Sequence, residues 1–411
     1  MIGSRRLRML VVASDAYPPT RVDVSELFGE ELASRGHTFD WILQSEAACA
    51  EPRVVTWGGG TVWVGPTDLG TSLLSRVRKH ALGIRHDLKL FRLLRSGGYD
   101  AIEVKDKFVS GIFAAIAARI YRTRFVYWLS YPFPEEYLLR ARNGRGRYAF
   151  LYLIRGGVFK LLLYGLLLRV ADHVFVQSEQ MRRDIGSAGV PLAKMTAVPM
   201  GIKAVAAAEP RGARRVIPAD ERCFLYLGTL ARVRHLELLV RVLVLVRKQV
   251  PGAKLYLVGR GDDAADEQLL VDEARRLGVL DAVVFVGQLA RSEAFDYVRE
   301  ADVCVSPFYP TPVLNSTSPT KLVEYMALGK AVVANDHPEQ RLVIEQSGGG
   351  FCVAWDEQRF ADAIVTLLND PALAERMGEL GRTYVAEHRT YATIADAVEL
   401  QLLAIAATEA G

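Results

Sequence analysis

From Asn315 to Val333 the chain runs Asn-Ser-Thr-Ser-Pro-Thr-Lys-Leu-Val-Glu-Tyr-Met-Ala-Leu-Gly-Lys-Ala-Val-Val, a polar loop leading into a short helix. Ser318 is placed to cap that helix, Pro319 suits its first position, and Gly329 suits its end. The free N–H groups and the dipole at a helix start form an anion site. Lys321 puts a cation in the first turn, where helices ordinarily avoid one; a bound diphosphate would offset it. Glu324, about one turn on, is an acceptor-only group suited to paired hydroxyls such as a ribose 2′- and 3′-OH. On residue chemistry alone, the segment also reads as a plain surface helix with an ordinary Lys and Glu.

The elements that must hold these residues follow from the pattern along the chain. Arg8–Ala13 is strand-like, Pro18-Pro19 turns, Ser25–Arg35 is helix-like, and Phe39–Leu43 is the next strand. Further apolar runs lie at Ala101–Val104, Phe125–Leu129 and His173–Gln177, with a helical pattern at Phe108–Ile120. Such alternation predicts an α/β fold with a mostly parallel sheet covered on both faces. The pattern breaks over 201–220, where Gly201, Ala204–Ala208, Pro210, Gly212 and Pro218 read as an interdomain connection. A second series follows, with strands at Phe224–Leu227, Lys254–Val258, Val283–Val286, Val303–Ser306 and Ala331–Ala334, and a helix at His235–Val250. A last helical segment, Ile394–Ala407, is long enough to reach back over the first domain. A length of 411 residues suits two domains of roughly 200 each.

Several motifs lie in one consistent order: Ser318–Val333, Tyr226-Leu-Gly-Thr-Leu230, Leu257-Val-Gly-Arg-Gly261, Val284-Phe-Val-Gly287, Ala301–Pro307, Val198-Pro-Met-Gly-Ile202, and Pro18-Pro19 with Arg35-Gly-His. Together they resemble family 4 glycosyltransferases over nearly the whole chain. The resemblance implies the GT-B fold, in which two Rossmann-like domains face each other across a cleft. It divides the chain into an acceptor-binding domain at 1–205, a nucleotide-sugar-binding domain at 206–390, and a C-terminal helix at 391–411 crossing back to the first. It implies that Glu324 holds the donor ribose, and that an Arg and a Lys after the first strand of the second domain clamp the diphosphate. The first of that pair falls on Thr229, a departure, and the second on Arg234, with Arg232 available to replace the missing charge. A second departure puts Ser316 where the family's sugar-contacting Glu stands. Backbone from Ser316 through Thr317 and Ser318 to Thr320 remains able to line a phosphate, and Gly228, Gly259 and Gly287, each closing a strand, complete the nucleotide-binding set. Arg234, Lys321 and Ser316 are the expected catalytic residues.

In the first domain the family's glycine-rich loop is replaced by Thr20-Arg-Val-Asp23, and Ser130-Tyr131 stand where a catalytic-side His is common. Arg21 could supply charge there. Asp15, Thr20, Arg21, Lys105, Asp106, Ser130 and Tyr131 form the expected acceptor set, although Lys105-Asp106-Lys107 also reads as a solvated loop. No D-x-D sits in a setting that would hold a metal with a sugar diphosphate, and no carboxylate pair suits double displacement. The expectation is metal-free transfer, with no cofactor and a UDP- or GDP-type sugar donor. For retaining members, the resemblance implies same-face attack, in which the departing phosphate helps take the acceptor's proton.

Residues 1–205 carry 29 Lys+Arg against 18 Asp+Glu, although the whole chain is only +4. This asymmetry suggests an anionic partner, whether nucleic acid, acidic lipid or a phosphate-bearing acceptor; scattered solvated charges are the other reading. No motif that reads nucleic acid is present. Tyr148–Val170 is the most apolar stretch, but Arg155, Lys160 and Arg169 interrupt it, so it is expected not to span a membrane. It fits either a basic amphipathic helix on an anionic membrane or a buried helix with its cations at the rim. Four scattered cysteines argue against a disulfide framework or structural zinc and for the cytoplasm. Met9–Ala13 is too short for a signal peptide. The expected protein elongates a glycan or lipid-linked acceptor in the cytoplasm or on the inner face of the membrane. The rival readings are a catalytically weak nucleotide-binding homologue, a sugar-nucleotide epimerase, and an NAD-dependent oxidoreductase. The last lacks a full G-x-G-x-x-G, because position 264 is Ala.

Overall fold

The computed structural model describes residues 5–49, 51–142, 149–203 and 215–407. The chain forms two compact units, Met1–Pro199 with Tyr391–Gly411, and Met200–Thr390. The first boundary therefore lies before Met200 rather than between 205 and 206. Ile202 pairs with Thr390 and is buried in a core of the second unit. Most of the expected connection, 204–214, lies outside the described residues.

The first unit is built on an eight-stranded sheet. Its strands are β1 (Arg8–Tyr17), β2 (Thr38–Ser45), β3 (Arg53–Trp57), β4 (Gly60–Gly65), β5 (Ala101–Lys105), β6 (Arg124–Leu129), β7 (His173–Val176) and β8 (Met195–Ala197), in the order β3-β4-β2-β1-β5-β6-β7-β8. All neighbours are parallel except β3 and β4. β1, β6 and β7 carry continuous apolar runs because both faces are covered, whereas the edge strand β3 is largely exposed. In β1, Met9, Val11 and Ala13 enter one core while Leu10 and Val12 enter the other.

The β3–β4 hairpin falls outside the expected strands. It turns through Gly58 and Gly59, both at positive φ (55° and 74°), as a two-residue hairpin of primed type requires. The helix expected at Ser25–Arg35 begins at Val22 and contains a π-turn at Leu27–Leu32. Trp57 presses on Gly29 there so closely that a Cβ would sit 2.6 Å from its ring. The last helix, Tyr391–Ala407, packs its Tyr391, Ile394, Val398 and Leu402 into the same core as Phe28 and Trp41. Arg35 and His37 both bond Glu399, at 2.7 and 2.8 Å.

The second unit carries six parallel strands: β9 (Cys223–Leu227), β10 (Lys254–Val258), β11 (Val283–Gly287), β12 (Val303–Ser306), β13 (Val332–Asn335) and β14 (Gly350–Val353), in the order β11-β10-β9-β12-β13-β14. β14 is a further strand beyond those expected. Its leading Gly348-Gly349-Gly350 reads as a turn, but Gly349 and Gly350 are needed for close contact with Gly381 and Val332.

Ala149–Val170 is one helix, continued through a π-turn at Leu161–Leu167, while Tyr148 lies outside the described residues. Despite its basic residues it is long and apolar enough, by length and composition alone, to cross a membrane. Leu163, Tyr164, Leu167 and Leu168 are nonetheless built into the first unit's core.

Candidate functional site

In both units the chain order reverses beside the first strand, between β1 and β5 and between β9 and β12. Crevices at the carboxyl ends of strands flanking such a reversal are where open α/β sheets bind ligands. The residues singled out above fall at these two places.

In the second unit three glycines close β9, β10 and β11. The Gly228 N–H donates to the Val258 carbonyl at 2.8 Å, and the Gly259 N–H to the Gly287 carbonyl at 2.9 Å. A Cβ on Gly259 would lie 2.0 Å from the Gly228 oxygen, and one on Gly228 would lie 2.1 Å from Lys321 Cε. The absence of side chains is thus what lets Lys321 lie over the end of β9. Its Nζ is 5.6 Å from the Tyr226 ring centroid.

Lys321 lies in the first turn of the helix Thr320–Ala327. Burial, and then the charge of Arg234, pull its ammonium down to about 8. Arg234 ends a short 3-10 turn because His235 takes a left-handed φ of 52°, and its guanidinium lies 5.4 Å from the Phe308 ring centroid. Arg232 stands exposed on the same turn, and its backbone N–H donates to Asp266 at 3.2 Å. Two cations, one of them with its charged form disfavoured by burial, make a site that a bound anion would stabilise.

Glu324 is on the same helix. Burial raises its carboxyl pKa against the pull of Arg291 and Lys321, and Arg291 reaches it at 3.3 Å. Arg291 was missing from the sequence reading; 33 residues separate it from Glu324, and nothing in the local pattern marks it.

The remaining residues of the loop are placed as follows. Ser318 does not cap the helix: Pro319 occupies the N-cap, and the Ser318 hydroxyl accepts the Met200 N–H at 3.0 Å. Ser316 is buried, with its hydroxyl 3.4 Å from the Pro312 carbonyl, and the Thr317 hydroxyl donates to Leu314 at 2.6 Å. The Thr229 carbonyl accepts the Tyr226 hydroxyl at 3.2 Å. Gly329, at φ 71°, follows the helix end as expected.

In the first unit Asp15, Arg21, Lys105, Asp106 and Ser130 come together at the ends of β1, β5 and β6, joined by Asp23, which the sequence reading had only as part of the loop. Lys105 is 1% exposed and lies 3.1 Å from Asp15 and 3.3 Å from Asp23. Arg21 grips Asp23 with two bonds of 2.9 and 2.8 Å and donates to Ser130 at 3.0 Å. Ser130 in turn donates its backbone N–H, at 2.9 Å, and its hydroxyl to Asp106. Asp106 takes a positive φ of 58°.

Burial would raise the Asp23 pKa, but Lys105 and Arg21 outweigh it and bring it down. For Asp106 burial prevails, and its pKa is raised. Beneath Lys105, Glu103 is fully buried with neither oxygen hydrogen-bonded, and burial pushes it up to about 8. The solvated-loop reading of Lys105-Asp106 is therefore replaced by a buried charge cluster. Lys107 belongs elsewhere, bonded to Asp87 at 2.8 Å. Thr20 is exposed, and Tyr131 packs edge-on against Phe133 with centroids 5.1 Å apart.

A glycosyl transferases group 1 family model matches residues 221–370, and a glycosyl transferase 4-like domain model matches residues 22–201. The glycogen synthase of Mycobacterium tuberculosis is 30% identical over 242 residues, 58% of this chain and 55% of that protein. The D-inositol 3-phosphate glycosyltransferase of Kineococcus radiotolerans is 27% identical over 229 residues, 51% of this chain and 52% of that one. The chain thus aligns with about half the length of these curated relatives. Among solved structures, sucrose-phosphate synthase from Thermosynechococcus elongatus superimposes with a TM-score of 0.73 at 22% identity, covering 98% of this chain and all of that one. An Anabaena protein, HepE, in complex with UDP gives 0.69 at 15% identity, covering 97% and 100%. Similarity at that level establishes the fold, and the two sequence matches together establish the family. The chain belongs to the group 1, family 4 type of glycosyltransferases and has their GT-B fold.

Proposed function

We propose that the protein is a retaining, metal-independent glycosyltransferase that moves a hexosyl group from a UDP- or GDP-sugar to a hydroxyl of a glycan or lipid-linked acceptor. It would need no cofactor beyond the donor and would work in the cytoplasm, in peripheral contact with an anionic membrane face. One observation carries the reading: Lys321, overlying Gly228 beside Arg234, with Glu324 on the same helix. Diphosphate oxygens would take charge-assisted bonds from Lys321, Arg234 and the first-turn N–H groups, and Glu324 would accept from the ribose hydroxyls. UDP in the Anabaena structure supports a nucleotide of this type.

In the proposed step, the bond from the anomeric carbon to the β-phosphate oxygen breaks. The acceptor oxygen bonds that carbon on the same face, and its proton passes to the departing phosphate. Lys321 and Arg234 would hold the growing negative charge. Ser316 would offer the sugar a hydroxyl without a negative charge. In the first unit, three carboxylates (Asp15, Asp23, Asp106) outnumber two cations (Lys105, Arg21). The cluster therefore suits neutral acceptor hydroxyls better than a phosphate, and Ser130, held between Arg21 and Asp106, is a fixed contact for them.

The test is a titration with UDP, GDP, ADP and NAD, with and without chelator, followed by a donor-turnover assay. Chelator-insensitive UDP or GDP binding with turnover is expected. Preferential NAD binding, or nucleotide binding without any transfer or hydrolysis, would overturn the reading.

A further inference from the structure

Helix Ala149–Val170 has one face in the core and the other in solvent, and the solvent face is apolar. Phe150, Leu151, Leu153, Ile154, Val158 and Leu161 stand 46–72% exposed. Phe150, Ile154, Val158 and Leu161 recur at four- and three-residue spacing, the stripe that a helix of a globular protein ordinarily turns inward. A contiguous exposed patch of this kind marks a surface of interaction. A groove of about 600 Å3, lined by Gly157, Lys160, Leu161, Gly165 and Ala188 with Asp184 at its side, opens along the same helix.

Charge identifies the partner. Residues 149–170 contain no Asp or Glu, and their three cations, Arg155, Lys160 and Arg169, are all exposed, with Lys160 3.5 Å from Glu135 and Arg155 over the Tyr137 ring. A second copy meeting this face across a two-fold axis would set like charges opposite one another. A bilayer with anionic headgroups would instead take the stripe into its acyl boundary and the cations at its phosphates.

We propose that this helix is the surface by which the protein lies on an anionic membrane, without crossing it. Spanning is ruled out by the opposite face, whose Leu163, Leu167 and Leu168 are part of the first unit's core. The inference rests on the peripheral membrane contact proposed above and gives that contact a location.

The test is flotation of the full chain with phosphatidylcholine vesicles, with and without phosphatidylglycerol, at low and high salt. The wild type is expected to float with the anionic vesicles. Replacing Ile154→Ser with Leu161→Ser should lower partitioning by about tenfold or more. Replacing Arg155→Gln with Lys160→Gln should weaken binding to anionic vesicles and flatten its salt dependence. UDP affinity, measured on each variant, reports that the chain is folded and tests the transferase reading separately. Unchanged flotation of the serine variant overturns this surface but leaves the membrane contact standing; no flotation of the wild type overturns both. A concentration-dependent dimer that the serine variant abolishes, with no flotation, would make a second copy the occupant and overturn the proposal.

Discussion

Lys321 and Glu324 are three residues apart on one helix, and burial drives each toward its neutral form. For Lys321, with its free-state value near 8, a bound diphosphate favours the ammonium. Above that pH, binding must therefore take up a proton, and affinity should fall as pH rises. Glu324 works in the other direction, since protonation removes its capacity to accept from two hydroxyls, and affinity should also fall in acid. Titration of UDP by calorimetry across pH should give a maximum below about 8. Lys321→Met should abolish the alkaline limb, and a limb that survives would show that another group titrates there. Glu324→Ala removes charge-assisted bonds worth about 1.5–3 kcal/mol each and should weaken the nucleotide roughly ten- to a hundredfold. Unchanged affinity would refute the assignment. These two residues were legible in the sequence because a helix start writes its chemistry locally. Asp23 and Arg291 were not, because each acquires its role only when elements distant in sequence bring Lys105 or Glu324 to it.

At the scale of elements, the two sheets were legible where both faces are covered, since β1, β6, β10 and β12 each carry an unbroken apolar run. The reading failed where tertiary contact decides. Trp57 lies on Gly29 at the π-turn, and the short edge strand β3, Arg-Val-Val-Thr-Trp, is largely exposed and falls outside the expected strands despite its Gly-Gly turn. The glycines that close the second sheet can be ranked on the same grounds. Gly259 combines a φ of 141° with a Cβ position 2.0 Å from the Gly228 carbonyl, whereas Gly287, at φ 85°, has no atom within 4 Å of that position. Gly259→Ala should cost about 3 kcal/mol or more, against about 1 for Gly287→Ala. At 2–4 °C per kcal/mol for a unit of this size, thermal unfolding separates the two. Gly259→Ala should also move the end of β9 on which Lys321 rests and weaken UDP. Equal melting shifts for the two variants would mean that the close approach of Gly228 and Gly259 does not limit the second unit.

Across the whole molecule, the two units are asymmetric in what completes them. The second unit's two cores draw only on residues 202–385, inside its own stretch of chain. The first unit's core against β1 and β2 takes Tyr391, Ile394, Ala395, Val398, Leu402 and Ile405 from the end of the sequence. The length of the last helical segment and the resemblance to a family both pointed to this crossing, whereas the periodicity of the helix Tyr391–Ala407, apolar almost all round, names no partner. The fastening is nonetheless specific: Glu399 bonds both Arg35 and His37, and although burial alone would raise its carboxyl, those two partners bring it below the ordinary range. A chain ended at Thr390 loses five large buried side chains, each worth about 1.5–3 kcal/mol, comparable with the entire stability of a domain. Such a chain should lose the cooperative melting of its first unit and keep that of the second. UDP should raise the transition that remains, by the ligand-linked increment expected of a site lying wholly within Met200–Thr390. Two melting transitions at their original temperatures would show that the helix merely decorates the first unit. A truncated chain that no longer binds UDP would mean that the nucleotide site depends on more than its own sheet.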